Sequence, residues 1–151
     1  MADKNVFVLD DGTKELEIRN PFGEVIERIH VRTGDLSIMD RYNSFVDNFD
    51  KVVEPIAKMH IRDDGTSDID EEWKVIKQVE KSLIDKLNEV FDSKDIGNLF
   101  KKRNALSTIN GEFYIEKVID MLGKVIAQDI KAETEKSAKR LKKYTEDVEN
   151  K

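Results

Sequence analysis

The first part of the chain alternates between apolar and charged positions, which is the pattern of β-strands with one buried face. Turn signals interrupt the alternation at Asp11-Gly12 and at Asn20–Gly23. Around these turns we predict three strands, at Val6–Leu9, at residues 16–18 and at residues 29–31. The segment 6–32 is therefore expected to be β-rich and to fold as a short antiparallel β-meander.

After Gly34 the apolar residues recur every three or four positions, which indicates amphipathic helices. The first helix is expected to start at a cap formed by Ser37, and Pro55 is expected to kink or restart it. Its apolar stripe consists of Met39, Tyr42, Phe45, Phe49, Val52, Val53 and Ile56. The second helix has the clearest period, through Ile69, Trp73, Ile76, Val79, Leu83, Leu87 and Val90.

A short helix is predicted near Asp95–Lys101, and the turn signal Asn110-Gly111 precedes a long last helix that starts near Glu112. The pattern thus predicts one domain over residues 1–151, with a β-rich segment at 6–32, a helical body at 35–130 and an extended helical tail at 131–151. The fold class is α+β, mainly α: the β-meander followed by a bundle of three to four helices.

Composition narrows the classes of function. The 151 residues carry a net charge of -6, which disfavours binding to a nucleic-acid backbone. There is no cysteine, and the first 14 residues are too acidic for a signal peptide, so we expect a cytoplasmic protein. No apolar run is long enough to span a membrane.

Catalytic and metal-binding motifs are weak in this sequence. It contains no glycine-rich phosphate loop, nucleophile elbow or His-Glu-x-x-His pair. His30 and His60 have no neighbour in sequence that suggests a base or a ligand, and the acids of residues 63–72 lack the order of a calcium loop. The aromatic residues, including Trp73, fit a helical core better than a ligand pocket. We therefore expect no cofactor, no metal and no catalytic residue.

The last helix carries the candidate binding residues. Beyond Ile130 its apolar stripe thins to Ala138, Leu141, Tyr144 and Val148. An amphipathic helix with so little apolar surface is stabilised when a partner covers it, so these four residues are the predicted partner-binding site. The alternative is a solvated helical tail. The nearby basic residues are interleaved with acidic ones, which favours a mixed-charge surface over a membrane or nucleic-acid site.

The order of these elements resembles that of the tail assembly chaperones of long-tailed phages and prophages, particularly a small family from phages of Gram-positive bacteria. The resemblance covers about residues 5–128. It is carried by the β-rich start, the acidic and apolar stretch Asp35–Tyr42, the charged helix that ends near Phe91, the short helix at Ile96–Phe100, and an asparagine-containing connection to the last helix.

The resemblance implies a protein without cofactor or active site that binds the tape measure protein and tail-tube subunits in the cytoplasm of a bacterial host. It also implies self-association into a homo-oligomer. Two alternatives stay open: a structural or adaptor protein of a virion or other bacterial assembly, and an enzyme or nucleotide-binding protein whose site is built from scattered Asp, Glu and Arg residues.

Overall fold

The computed structural model describes residues 4–57 and 69–149, apart from the side chains of residues 57, 69–71 and 144–149. Within these ranges an N-terminal β-hairpin precedes three helices, of which the last is the longest. The elements are β1 (Lys14–Arg19), β2 (Val25–Val31), α1 (Leu36–Ala57), α2 (Ile69–Phe91), a 3₁₀ helix (Ile96–Phe100), β3 (Thr108–Ile109), β4 (Glu112–Phe113) and α3 (Tyr114–Glu149). The predicted α+β, mainly α class is confirmed.

β1 and β2 form an antiparallel hairpin in which Leu16 lies opposite Ile29. The connecting turn is closed by the side chain of Asn20, whose Oδ1 accepts hydrogen bonds from the backbone N–H groups of Phe22 and Glu24, both at 3.0 Å. Ile29 and Val31 are buried against the helices. The alternation read from the sequence therefore sets which face of the hairpin packs on the body.

The first of the three predicted strands, Val6–Leu9, does not form, so the prediction of a three-stranded meander was wrong in that respect. All four of its side chains are exposed. Two consecutive turns separate it from β1, because Asp10 Oδ1 accepts a hydrogen bond from Gly12 N and Asp11 Oδ1 accepts one from Thr13 N. A β-prone run becomes a strand only where a neighbouring strand and an apolar face are available, and these turns lead it away from the hairpin.

The helical body surrounds one apolar core. α1 packs against α2 and α3, and the 3₁₀ helix packs against both α2 and β2. The largest fully buried side chains are Phe91, Ile29, Ile38, Leu83, Leu87, Ile96, Ile115, Leu122 and Val31. The predicted stripes of α1 and α2 also contribute buried core side chains, namely Phe45, Phe49, Val53, Val79, Leu83, Leu87 and Val90, so their periodicity reflects burial; Met39 of the α1 stripe is an exception and is 44% exposed.

Three local expectations need correction. Asp35 rather than Ser37 caps α1, and α1 continues through Pro55 without restarting. Trp73 is 45% exposed rather than part of the core, with Lys77 Nζ 5.5 Å from its ring centroid. Among the side chains of α2 that the structure describes, Val75 and Ile76 are the first to pack against the core, so Trp73 lies at the edge of the packed body. His60 and most of the acidic stretch 63–72 lie outside the described residues.

The connection to α3 is a small hairpin at the predicted Asn110-Gly111 turn. Both residues have positive φ, 55° and 84°, as a tight two-residue hairpin turn requires. α3 then starts at Tyr114 and runs for 36 residues, or about 54 Å at 1.5 Å per residue. Its side chains are buried or half-buried through much of the stretch up to Ile130, whereas residues 131–143 are all exposed. The second half of α3 therefore extends beyond the core.

Candidate protein-binding surface

A polar contact fixes the point where α3 leaves the body. The hydroxyl of Thr33, which is buried, donates a hydrogen bond to the carboxylate of Asp129, and Lys14 of β1 pairs with the same carboxylate. Partial burial alone would raise the pKa of Asp129, but the hydrogen bonds from Lys14 and Thr33 and the charge of Lys14 outweigh it and lower that pKa. The end of the hairpin is thereby held against α3.

The start of α1 is held beside the same part of α3. Asp35 Oδ1 accepts hydrogen bonds from Ser37 N at 3.0 Å and from Ser37 Oγ at 2.7 Å, and these bonds lower the pKa of the Asp35 carboxyl. The cap sets the phase of the helix, which turns Ile38 into the core and leaves Leu36 68% exposed. Leu36 is therefore an apolar side chain held at the surface next to α3.

Leu36 and the exposed part of α3 form a groove of about 480 Å³, which we call the distal groove. Its lining consists of Gly34, Leu36, Ile130, Glu133, Thr134, Ser137, Ala138 and Leu141. The apolar side chains form one strip, and the polar ones lie beside it on α3. A surface of this kind, apolar but rimmed by polar groups, is typical of protein-binding sites.

Two of the four predicted binding residues, Ala138 and Leu141, lie in this groove, and Leu141 is 54% exposed. The side chains of Tyr144 and Val148 lie outside the described residues, although their backbone belongs to α3. Sequence reasoning missed Leu36, which precedes the predicted stripe of α1 by one turn. The only signal was an apolar residue directly after a capping aspartate.

A second groove of about 430 Å³ lies between α1 and α2. Its floor includes Phe45, Phe49, Leu83 and Val90, all of them buried, and charged side chains such as Arg41 and Lys86 line its edges. Arg41 is tied to α2 by a hydrogen bond of 2.9 Å from its Nε to the carbonyl oxygen of Val90. This groove is no less apolar than the distal groove, but its apolar floor consists of side chains buried in the protein's own core, whereas Leu36 and Leu141 of the distal groove are exposed.

His30, Ser93 and Asp95 come together at the edge of β2, although the sequence suggested no partner for His30. Asp95 Oδ2 lies 2.8 Å from His30 Nδ1, and the same carboxylate accepts a hydrogen bond from His30 N. This bond raises the pKa of His30. Burial alone would raise the pKa of Asp95, but the hydrogen bonds from His30 and Ser93 outweigh it and lower that pKa.

This cluster is not arranged for nucleophilic catalysis. A serine nucleophile must donate its hydroxyl proton to the histidine that activates it. Here Ser93 Oγ lies 3.0 Å from Asp95 Oδ1 and accepts hydrogen bonds from the backbone N–H groups of Asp95 and Ile96. Ser93 thus accepts hydrogen bonds from the backbone at the start of the 3₁₀ helix, and Asp95 joins that helix to the hairpin. The cluster is a structural contact between segments 65 residues apart.

Among residues 4–57 and 69–149 no three His, Asp or Glu side chains converge as metal ligands would. Over the same part of the chain, no helix combines the length and apolarity needed to cross a bilayer. Comparisons of the chain with protein-family models, with curated proteins and with solved structures gave no significant match.

Proposed function

We propose that this protein is a non-catalytic tail assembly chaperone of a long-tailed phage or prophage, acting in the cytoplasm of a bacterial host. Its partners would be the tape measure protein and tail-tube subunits. The observation that carries the proposal is the distal groove, which presents exposed Leu36 and Leu141 on an otherwise highly charged molecule. The order of elements resembles that of such chaperones, and this resemblance supports the choice of partner.

The chemistry of the groove suits an amphipathic helix. A partner helix with apolar residues every three or four positions would cover the strip formed by Leu36, Ile130, Ala138 and Leu141. The surrounding surface of α3 is of mixed charge with an excess of basic side chains: Glu133 and Glu135 lie at its start, and Lys136, Lys139, Arg140, Lys142 and Lys143 are exposed further along. Acidic residues flanking the apolar face of the partner would therefore match it and speed the encounter.

A chaperone must release its partner when assembly proceeds, so its contact should be modest in area. The distal groove is open and short, in contrast to the large apolar interfaces of permanent complexes. Self-association of the chaperone belongs to the same proposal, and light scattering at several concentrations measures it. A structural or adaptor protein of a virion would instead remain bound, so its presence in purified mature particles would favour that alternative.

Coexpression with the tape measure protein tests the proposal. We expect the pair to copurify on gel filtration and the soluble yield of the tape measure protein to rise. Leu36→Ser should weaken the complex about tenfold or more, because burying a leucine contributes about 1.5–3 kcal/mol. Val46→Ser is the matched control, since Val46 is also an exposed apolar residue of α1 but lines neither groove.

Two results would overturn the proposal. One is the absence of both a complex and a gain in solubility on coexpression. The other is equal binding by the Leu36→Ser and Val46→Ser variants, which would mean that the distal groove does not carry the interaction.

A further inference from the structure

The run Val6–Leu9 is an unusual surface feature of this protein. Its four side chains are exposed by 65%, 86%, 98% and 85% in chain order, although all are apolar. Contiguous apolar surface of this kind on a soluble body generally marks a contact site. The segment has β-prone composition but belongs to neither strand of the hairpin. It is thus a short apolar peptide attached to the body through residues 10–13.

The attachment point lies beside the distal groove. Asp11 and Gly12 line a cavity of about 370 Å³ together with Arg32, Gly34, Asp35 and Glu133. Gly34 and Glu133 also line the distal groove, so the two spaces share a wall. Asp11 is further held by Arg32, with 3.9 Å between Arg32 Nη1 and Asp11 Oδ2. The apolar run therefore departs from the rim of the groove.

The length of the run matches the groove. An extended chain spans about 3.3–3.6 Å per residue, so Leu9 can lie up to about 7 Å from Asp11 and Val6 up to about 17 Å. From Glu133 to Leu141 the groove follows eight residues of α3, which is about 12 Å of helix at 1.5 Å per residue. The run is thus long enough to lie along the groove.

The connection also permits the necessary change of direction. Gly12 has a φ of +81°, and a Cβ built there would meet no atom within 4 Å. Glycine is the residue that crosses between positive and negative φ at least cost. A rotation near Gly12 and Asp10 would redirect the run without disturbing β1.

We infer that Val6–Leu9 of the same chain docks into the distal groove as an internal strap and that a partner helix must displace it. Docking would cover Leu36 and Leu141 with apolar side chains, which the hydrophobic effect favours. The displacement step rests on the proposed function, whereas the docking itself does not. A strap of this kind would protect the groove from nonspecific contacts while no partner is present.

Disulfide trapping tests the docking, because the chain has no cysteine of its own. The variants Val8→Cys/Ala138→Cys and Phe7→Cys/Ala138→Cys each pair one thiol in the groove with one on the run. Because neighbouring residues of an extended chain face opposite sides, one of the two variants presents its thiol to the groove. All three positions are exposed, so folding should be unaffected. The control is Val8→Cys/Lys74→Cys. Its second thiol lies on the exposed surface near the start of α2, 17 residues or about 26 Å of helix before Phe91. The next residue, Asp92, pairs with Arg32 of the cavity beside the groove, so Lys74 lies at the far end of α2.

At micromolar protein under mild oxidation we expect one of the groove pairs to form an intramolecular disulfide at least about tenfold faster than the control, since tethering within reach gives effective concentrations of millimolar order. Equal rates for all pairs would overturn the inference. Predominant disulfide-linked dimers would also overturn it, because the occupant would then be a second copy of the chain.

The consequence for binding is tested separately with the trapped protein. If the strap competes with the partner, the oxidised groove variant should bind the tape measure protein at least about tenfold more weakly than its reduced form, which corresponds to about 1.4 kcal/mol. Equal binding by the two forms would overturn the displacement step. Failure of the reduced and wild-type proteins to bind at all, with trapping intact, would count against the proposed function and leave the docking in place.

Discussion

The phenol of Tyr42 on α1 lies directly over Gly123 on α3, and its hydroxyl donates a hydrogen bond of 3.1 Å to the carbonyl oxygen of Ile119. A Cβ built on Gly123 would lie 2.9 Å from Tyr42 Cζ and closer still to the hydroxyl oxygen. The contact between the two helices therefore depends on the missing side chain at position 123.

Gly123→Ala is expected to lower the free energy of unfolding by about 1–2 kcal/mol. Alanine would favour the helix by about 1 kcal/mol, but displacing a packed ring and breaking its hydrogen bond cost more together. Urea denaturation measures the change. In a Tyr42→Phe background the same substitution should cost less, because the closest atom is gone. A more stable Gly123→Ala protein would contradict this account.

Asp129→Ala should destabilise the protein by about 1–3 kcal/mol, because the buried hydroxyl of Thr33 loses its acceptor. Glu135→Ala, also on α3 but exposed, is the control and should stay within about 0.5 kcal/mol of the wild type. A double-mutant cycle with Thr33→Val isolates the pairwise contribution. Additive effects would show that the two residues are not coupled.

The same carboxylate should make part of the stability pH-dependent. The folded pKa of Asp129 lies below its ordinary value of 3.8, so its stabilising contribution is present above that pH and is lost as the pH falls through the folded value. The difference in stability between the wild type and Asp129→Ala should therefore shrink as acid is added below about pH 4. A difference that grew with acid would contradict the assigned sign.

His30 should titrate above its ordinary pKa of 6.5, because the hydrogen bond to Asp95 favours the imidazolium. The chain has two histidines, so NMR of a His60→Gln variant follows His30 alone. Asp95→Asn should return the midpoint towards 6.5. Since the folded pKa is raised, the stabilising contribution of His30 is full below pH 6.5 and is lost as the pH rises through the folded value. A midpoint at or below 6.5 in the intact pair would refute this contact.

Trp73 and Leu83 should respond very differently to truncation, although both belong to the apolar stripe of α2. Leu83 is fully buried, and Leu83→Ala should cost about 2–5 kcal/mol. Trp73→Ala should cost no more than about 1 kcal/mol, since the indole is nearly half exposed. The fluorescence of this single tryptophan should also be quenched readily by acrylamide. Similar losses for both variants would place Trp73 in the core after all.

The sequence predicted the three long helices and the hairpin of residues 16–18 and 29–31 because local periodicity reports which face of an element is buried. It failed at Val6–Leu9, because strand formation depends on a partner strand that no local window reveals. It also missed the contacts of Asp95 with His30 and of Asp129 with Thr33, which join residues 65 and 96 positions apart. Such pairs become neighbours only once the fold exists.

The part of the candidate groove that α3 contributes was predictable. Ala138 and Leu141 continue the stripe of α3, so their phase was readable from the chain, whereas Leu36 contributes only because Asp35 caps α1 and turns it outwards. That orientation follows from the geometry of the cap rather than from any hydrophobic pattern.

The continuity of α3 across the edge of the body has a consequence for how its exposed half forms. An isolated helix must first nucleate, which is unfavourable by a factor of about a thousand. Here the buried turns around Ile115 and Leu122 serve as a permanent nucleus, so residues beyond Ile130 need only propagate it. The outer turns can therefore unwind and re-form one residue at a time from the buried turns. A partner that binds them extends an existing helix and does not have to nucleate a new one.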